Sequence, residues 1–412
     1  MSKSLAHLPV ELIGIIASLT VNGDYIARNR TLAACRLVCK KFASEFRPFI
    51  FEVLRVNTLP FQKNPVSLVQ KKHKLLSQYP QFAPLVKKVV IAISATHPVV
   101  EVDAFSSLLD KLDSVSSVFL GPPLPSEYIR YGRLPAPLRQ SLLRLCTAPS
   151  IRSLAFDCIF ELPTTLFTHS PNLTCLTFCG STVFQMVNVS QSPVVGTQGC
   201  SLHLTTKSDI PQDVANLPIF GKIAKLTGTA TQHTVGTFQR LIRASCSSGV
   251  LTELDLNFLD HGLFGFERLP IDFSGVKQFT HLRLTFSGAA ALLNFATILG
   301  VINDTVASLS RAGATSLTSV TIALDYTKSE DEFANELKTT AELWKKLNTA
   351  LSNPKDFPKL SSVKLDFVMD IVAYQRLSEE TRESLKFLLP SVPCGVYSAI
   401  VRPMPTFTIH HR

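Results

Sequence analysis

The sequence lacks catalytic signatures, long uninterrupted apolar runs and any regular spacing of cysteine, and each absence removes a class of protein. No G-x-S-x-G, G-x-G-x-x-G, Walker-type G-K-[ST] or H-E-x-x-H occurs. The motifs that mark common hydrolases, dinucleotide enzymes, nucleotidases and zincins are therefore missing, and the chain reads as a binder that is not an enzyme, with no catalytic residue, cofactor or metal expected. The best membrane candidate, GAAALLNFATILGVI at 288–302, carries Asn294 and is shorter than the ~20 residues a spanning helix needs. A buried helix is expected there, and no membrane partner. The opening MSKSLAHLP reaches Pro9 without an apolar core, so no secretory signal is expected.

Nine cysteines form an odd set without framework spacing and lie mostly among aliphatic residues. That usage suits cysteine as a small hydrophobe in a reducing compartment, so cytoplasm or nucleus is expected. His169 with Cys175 and Cys179 offers three zinc ligands but no fourth. Both cysteines also fall on one face of one expected strand, which favours a structural role.

Charge is scarce, at 17% of residues, and unevenly placed. Residues 1–90 hold fourteen Lys or Arg against Glu11, Asp24, Glu45 and Glu52, which is the whole formal net charge of +10. The rest of the chain is neutral overall. Such asymmetry points to an acidic partner for the first segment, either a protein surface or a nucleic acid. At 412 residues the chain also exceeds the roughly 250–300 at which a single core stops growing, so two domains or a repeat array is expected.

The first segment carries more aliphatic surface than it can hide. LPVELIGIIASL, residues 8–19, spaces Leu12, Ile16 and Leu19 along one helical stripe while Val10 and Ile13 occupy another. Pro9 suits the first helical turn and Glu11 complements its positive end. After the turn-like VNGD at 21–24, TLAACRLVCKKF gives Leu32, Cys35, Val38, Cys39 and Phe42 helical spacing, with Thr31 as N-cap. A third helical stretch, Ala43 to Phe46, is expected to stop before Pro48, because the residue preceding proline is pushed out of the α region. Helices this short are marginal at burying their own apolar area, so something else must cover them.

LPVELIGIIASL, LAACRLVCKKF and RPFIFEVLRV together resemble the F-box family over about residues 5–56. The connection TVNGDYIARNR is longer than that family's usual turn. The resemblance implies a three-helix module, 1–56, that docks on the acidic Skp-type adaptor of cullin-RING ubiquitin ligases. It implies contact residues Leu8, Pro9, Leu12, Ile13 and Ile16 from the first helix, and Leu32, Cys35, Leu37, Val38 and Phe42 from the second. An acidic adaptor would also account for the basic excess.

Beyond residue 56 a pattern close to L-x-x-L-x-L recurs at VKKVVI (86), VSSVFL (115), IRSLAF (151), LTCLTF (173), GCSLHL (199), IAKLTG (223), LTELDL (251), FTHLRL (279), LTSVTI (317) and LSSVKL (360). Helix-like segments lie between, at 138–146, 237–245, 291–299 and 334–351. This strand-then-helix alternation is expected to form an α/β fold over 57–412, an irregular right-handed solenoid resembling leucine-rich repeats without their asparagine signature. Positions four and six of each pattern should be buried and positions three, five and seven should face away. Glu253, Asp255 and Asn257, beside His281 and Arg283, form the richest ionisable cluster on that outward face.

The sequence thus reads first as a substrate-recognition subunit of a Skp-cullin-F-box ligase. The module joins the adaptor, and Glu253, Asp255, Asn257, His281 and Arg283 meet an unknown protein target. A nucleic-acid-binding protein using the basic first 90 residues is the alternative, weakened by the few aromatics available for stacking. A ligase-independent F-box scaffold is a third reading.

Overall fold

The computed structural model describes residues 31, 34, 40–57, 68–94, 101–186, 199–205, 209–231, 233–259, 273, 276, 278–287, 295–325, 330–370, 378–379, 388 and 395–402. The protein is α/β, with a large parallel sheet. By compactness it divides into unit 1, Met1–Leu173 with Val187–Gly196, and unit 2, Thr174–Met186 with Thr197–Arg412.

Unit 1 opens with α1 (Lys40–Phe51), which runs through Pro48. The expected stop at Phe46 is therefore corrected. Proline removes one intrahelical hydrogen bond and crowds the carbonyl of Ser44, but α1 is tied down on either side of it. Phe46 is fully buried, and the Phe51 ring stacks on Phe82 with centroids 4.3 Å apart. Four strands follow in sequence: β1 (Val53–Asn57), β2 (Lys88–Ala92), β3 (Ser117–Gly121) and β4 (Ser153–Asp157). Each pairs in parallel with the next. Parallel neighbours require a crossover, and α2 (Leu68–Gln78), α3 (Val102–Asp110) and α4 (Ala136–Cys146) supply the helical parts of these connections.

Unit 2 continues the same logic through β5 (Cys175–Cys179), β6 (Cys200–Leu204), β7 (Ile223–Ala230), β8 (Glu253–Leu259), β9 (His281–Ser287), β10 (Ser319–Asp325), β11 (Ser362–Asp370) and β12 (Gly395–Arg402). Every successive pair is parallel. Its helices include α5 (Val235–Ser247), α6 (Phe295–Ala312), α7 (Glu330–Thr339) and α8 (Ala341–Leu351). The apolar stretch expected near 288–302 contributes to α6, whose Ile298, Leu299, Ile302 and Val306 are buried. Among the described residues no helix is long and apolar enough to cross a membrane.

All ten hexamers become strands. Along β8 Leu254, Leu256 and Phe258 are buried while Glu253, Asp255 and Asn257 are half-exposed, as period-two alternation requires. The inner rings interlock across the ladder, with Phe258 stacked on Phe286 at 4.8 Å. At Gly228 on β7 a side chain would collide with the Leu204 carbonyl and the Phe238 ring of α5, so helix and sheet meet there at a position only glycine fits.

A hydroxyl clamp precedes several strands. Thr252 Oγ1 donates to the Ala224 carbonyl at 2.9 Å, Thr280 Oγ1 to Thr252 at 3.0 Å and Thr318 Oγ1 to Thr280 at 3.0 Å. Ser361 Oγ continues the series to Thr318 at 3.3 Å. The carbonyls of Thr252, Thr280 and Thr318 each also accept two backbone N–H groups from the following strand. The second position of the hexamer thus fastens one strand start to the one before it.

Candidate functional site

The parallel register of unit 2 brings the outward residues into rows. One row runs Ser201, Lys225, Glu253, His281, Ser319, Ser362, and the next runs His203, Thr227, Asp255, Arg283, Thr321, Lys364. A third holds Thr229, Asn257, Thr285, Ala323 and Asp366. The rows sit on hydrogen-bonded strands, so their spacing is fixed by the roughly 4.8 Å between neighbouring chains. Ala323 and Asp366, expected to face away from the core, are buried at 2% and 1% exposure. The third row is therefore closed on β10 and β11, while the first two rows stay open over β6–β11.

The five target-face residues expected from the sequence come together here. Glu253 stands opposite His281, Asp255 opposite Arg283 and Asn257 opposite Thr285. Lys225 Nζ approaches Glu253 Oε2 at 2.8 Å, while Arg283 Nε stays 4.0 Å from Asp255 Oδ1. His281 Nδ1 lies 2.6 Å from Ser319 Oγ, and Ser287 Oγ donates to Asn257 Oδ1 at 2.7 Å. Direct hydrogen bonding to Glu253, reinforced by the charges of Glu253 and Asp255, raises the Lys225 pKa. Burial raises that of Asp255, and the nearby Arg283, Lys225 and His203 only partly oppose it. Asp255 thus keeps its charge against a burial penalty that its neighbours only partly offset.

The sequence grouping left out two residues that the register adds. Lys225 joins through its ion pair with Glu253, and His203 through its field on Asp255 and its own contact with Thr227 Oγ1 at 2.8 Å. Both were visible as outward positions of neighbouring hexamers. Their partnership needed the strand register.

Of the expected adaptor-contact residues, Leu8, Pro9, Leu12, Ile13, Ile16, Leu32, Cys35, Leu37 and Val38 lie outside the described residues, and Phe42 falls on α1. Among the described residues no group of three or more His, Cys, Asp or Glu could hold a metal ion. A shallow cleft of about 330 Å³ in unit 1 brings Lys111 Nζ within 2.6 Å of Ser77 Oγ. That hydroxyl already donates to the His73 carbonyl at the exposed end of α2, a helix-end arrangement. Compared with known proteins, the chain matches no family model and no curated protein.

Proposed function

We propose that this protein is a recognition subunit: unit 2 holds a protein target on its polar sheet face, and the N-terminal segment docks on a Skp-type adaptor of a cullin-RING ubiquitin ligase. The observation that carries the target half is the in-register row of unlike charges and hydroxyls on consecutive parallel strands. Such a face is rigid, so a partner meets it at little ordering cost. Repeated strands fastened by the same hydroxyl clamp support a leucine-rich-repeat-like solenoid, whose sheet face is the usual place for a partner. The adaptor half rests on the F-box resemblance of residues 5–56 and on the basic excess of residues 1–90. In this reading the chain supplies proximity, and other subunits carry out ubiquitin transfer.

Two substitutions test the adaptor half in the full-length chain. Leu12→Asp with Ile16→Asp should abolish co-purification with a Skp-type adaptor; retained binding overturns the assignment. Recovery of the adaptor without a cullin would instead mark a ligase-independent scaffold. For the target half, replacing Glu253, Asp255 and Arg283 with alanine should remove captured target while the adaptor remains.

A further inference from the structure

Charge on the open face of unit 2 is sorted by strand. Both exposed acids, Glu253 and Asp255, stand on β8. In the same two rows β9 carries His281 and Arg283, β10 carries Ser319 and Thr321, and β11 carries Ser362 and Lys364. Within these two rows, three consecutive strands therefore present Arg283, Lys364, an imidazole and hydroxyls with no carboxylate between them. The Arg283 side chain is 53% exposed and reaches Asp255 only at 4.0 Å. The Lys364 side chain is 40% exposed, and its ion-pair partner at 2.9 Å, Asp366, is buried in the third row. Both cations have open surface toward an incoming group.

We infer that the target segment held on this face is acidic, a polyproline II-like stretch of polypeptide laid across β9–β11 with two carboxylates three residues apart. The inference rests on the target-face reading above. Arg283, Thr321 and Lys364 share one row, which separates the two cations by two strand spacings, roughly 10 Å. A polyproline II chain rises ~3.1 Å per residue with three residues per turn, so its first and fourth side chains stand on one face about 9 Å apart, close to that span. One carboxylate meets Arg283, the other meets Lys364, and the Thr321 hydroxyl lies beneath the backbone between them. A nucleic-acid strand fits less well. The rows hold no Phe, Tyr or Trp for stacking, and a continuous line of phosphates would have to pass the β8 carboxylates. A peptide can keep its two charges clear of them.

Asp255 competes with such a ligand for Arg283, and this gives the test a direction that a structural role would not. Binding of fluorescent twelve-residue peptides to the full-length chain is measured by anisotropy, using two Glu three residues apart in a Gly/Ser/Thr background and the matching Gln peptide. The Glu peptide should bind about tenfold more tightly than the Gln peptide, the scale of one well-made charge-assisted contact. Arg283→Ala and Lys364→Ala should each reduce that preference and the double variant should remove it, while Asp255→Asn should strengthen it about threefold, with folding checked by circular dichroism. Equal binding of the two peptides, or weaker Glu-peptide binding by Asp255→Asn, overturns the inference. If neither peptide binds while the Glu253, Asp255 and Arg283 alanine variant still loses its captured target, the acidic segment is wrong and the face remains the target site.

Discussion

At the scale of single residues, two ionisable groups are held at a cost to folding, and pH reveals each with an opposite sign. Burial is the larger cause for Lys72 on α2, with Arg55 nearby, and together they lower its pKa to about 8. A lysine with a folded pKa below its unfolded value loses its proton first in the folded state, so stability rises as pH climbs from about 8 towards the ordinary lysine range. Lys72→Met should accordingly stabilise the protein at pH 7 by roughly 1–3 kcal/mol, and the advantage should shrink as urea midpoints are measured up to pH 10. Asp255 is the acidic counterpart. Its pKa is raised, first by burial, so the folded state takes up the proton before the unfolded one and the penalty is present at neutral pH. Asp255→Asn should be neutral or stabilising at pH 7, by no more than about 1 kcal/mol because solvent screens the half-exposed side chain. The gap should close as pH falls into the ordinary carboxylate range. A marked loss of stability at pH 7 would show that Asp255 serves packing instead.

At the scale of elements, the hydroxyl clamp makes a graded prediction. Thr280 Oγ1 donates to the Thr252 carbonyl at 3.0 Å, but that carbonyl also accepts from the backbone N–H groups of Thr280 and His281. Thr280→Val keeps the shape and the backbone bonds, so it should cost only about 1 kcal/mol, the net value of one hydrogen bond. A loss of several kcal/mol in urea unfolding would mean that the hydroxyl, rather than the strand ladder, sets the register. These elements also show what the sequence could and could not disclose. The hexamers were legible because burial at positions four and six is a period-two signal that needs no distant partner. The clamp was written in the same hexamers as Thr252, Thr280, Thr318 and Ser361, yet its partners are carbonyls a whole repeat away and become visible only in register. Gly395–Arg402 has no matching hexamer, and its pairing to β11 rests on backbone bonds. Pro48 misled for a tertiary reason: the local rule stops the helix, while burial of Phe46 and stacking of Phe51 hold it on to Phe51.

At the scale of the whole molecule, the formal net charge of +10 resides in residues 1–90, and salt can distinguish the two kinds of acidic partner that such a charge invites. A protein adaptor carries discrete carboxylates around an apolar contact. Its attraction steers encounter over a Debye length, so added salt slows association while dissociation, governed by the buried contact, changes little. Between 50 and 200 mM salt the association rate of the full-length chain with a Skp-type adaptor should fall about tenfold at a nearly constant dissociation rate. A nucleic acid releases condensed counterions for every phosphate neutralised, so six to ten such contacts would cost roughly 10³–10⁵ in affinity over the same range. Surface-plasmon kinetics on both partners at three salt concentrations would decide between them. A steep affinity loss with RNA or DNA, together with no measurable adaptor association at 50 mM salt, would reverse the assignment of the basic segment. An adaptor dissociation rate that stays flat while association slows would assign the charge to encounter and leave the holding of the complex to the apolar side chains of Leu12 and Ile16.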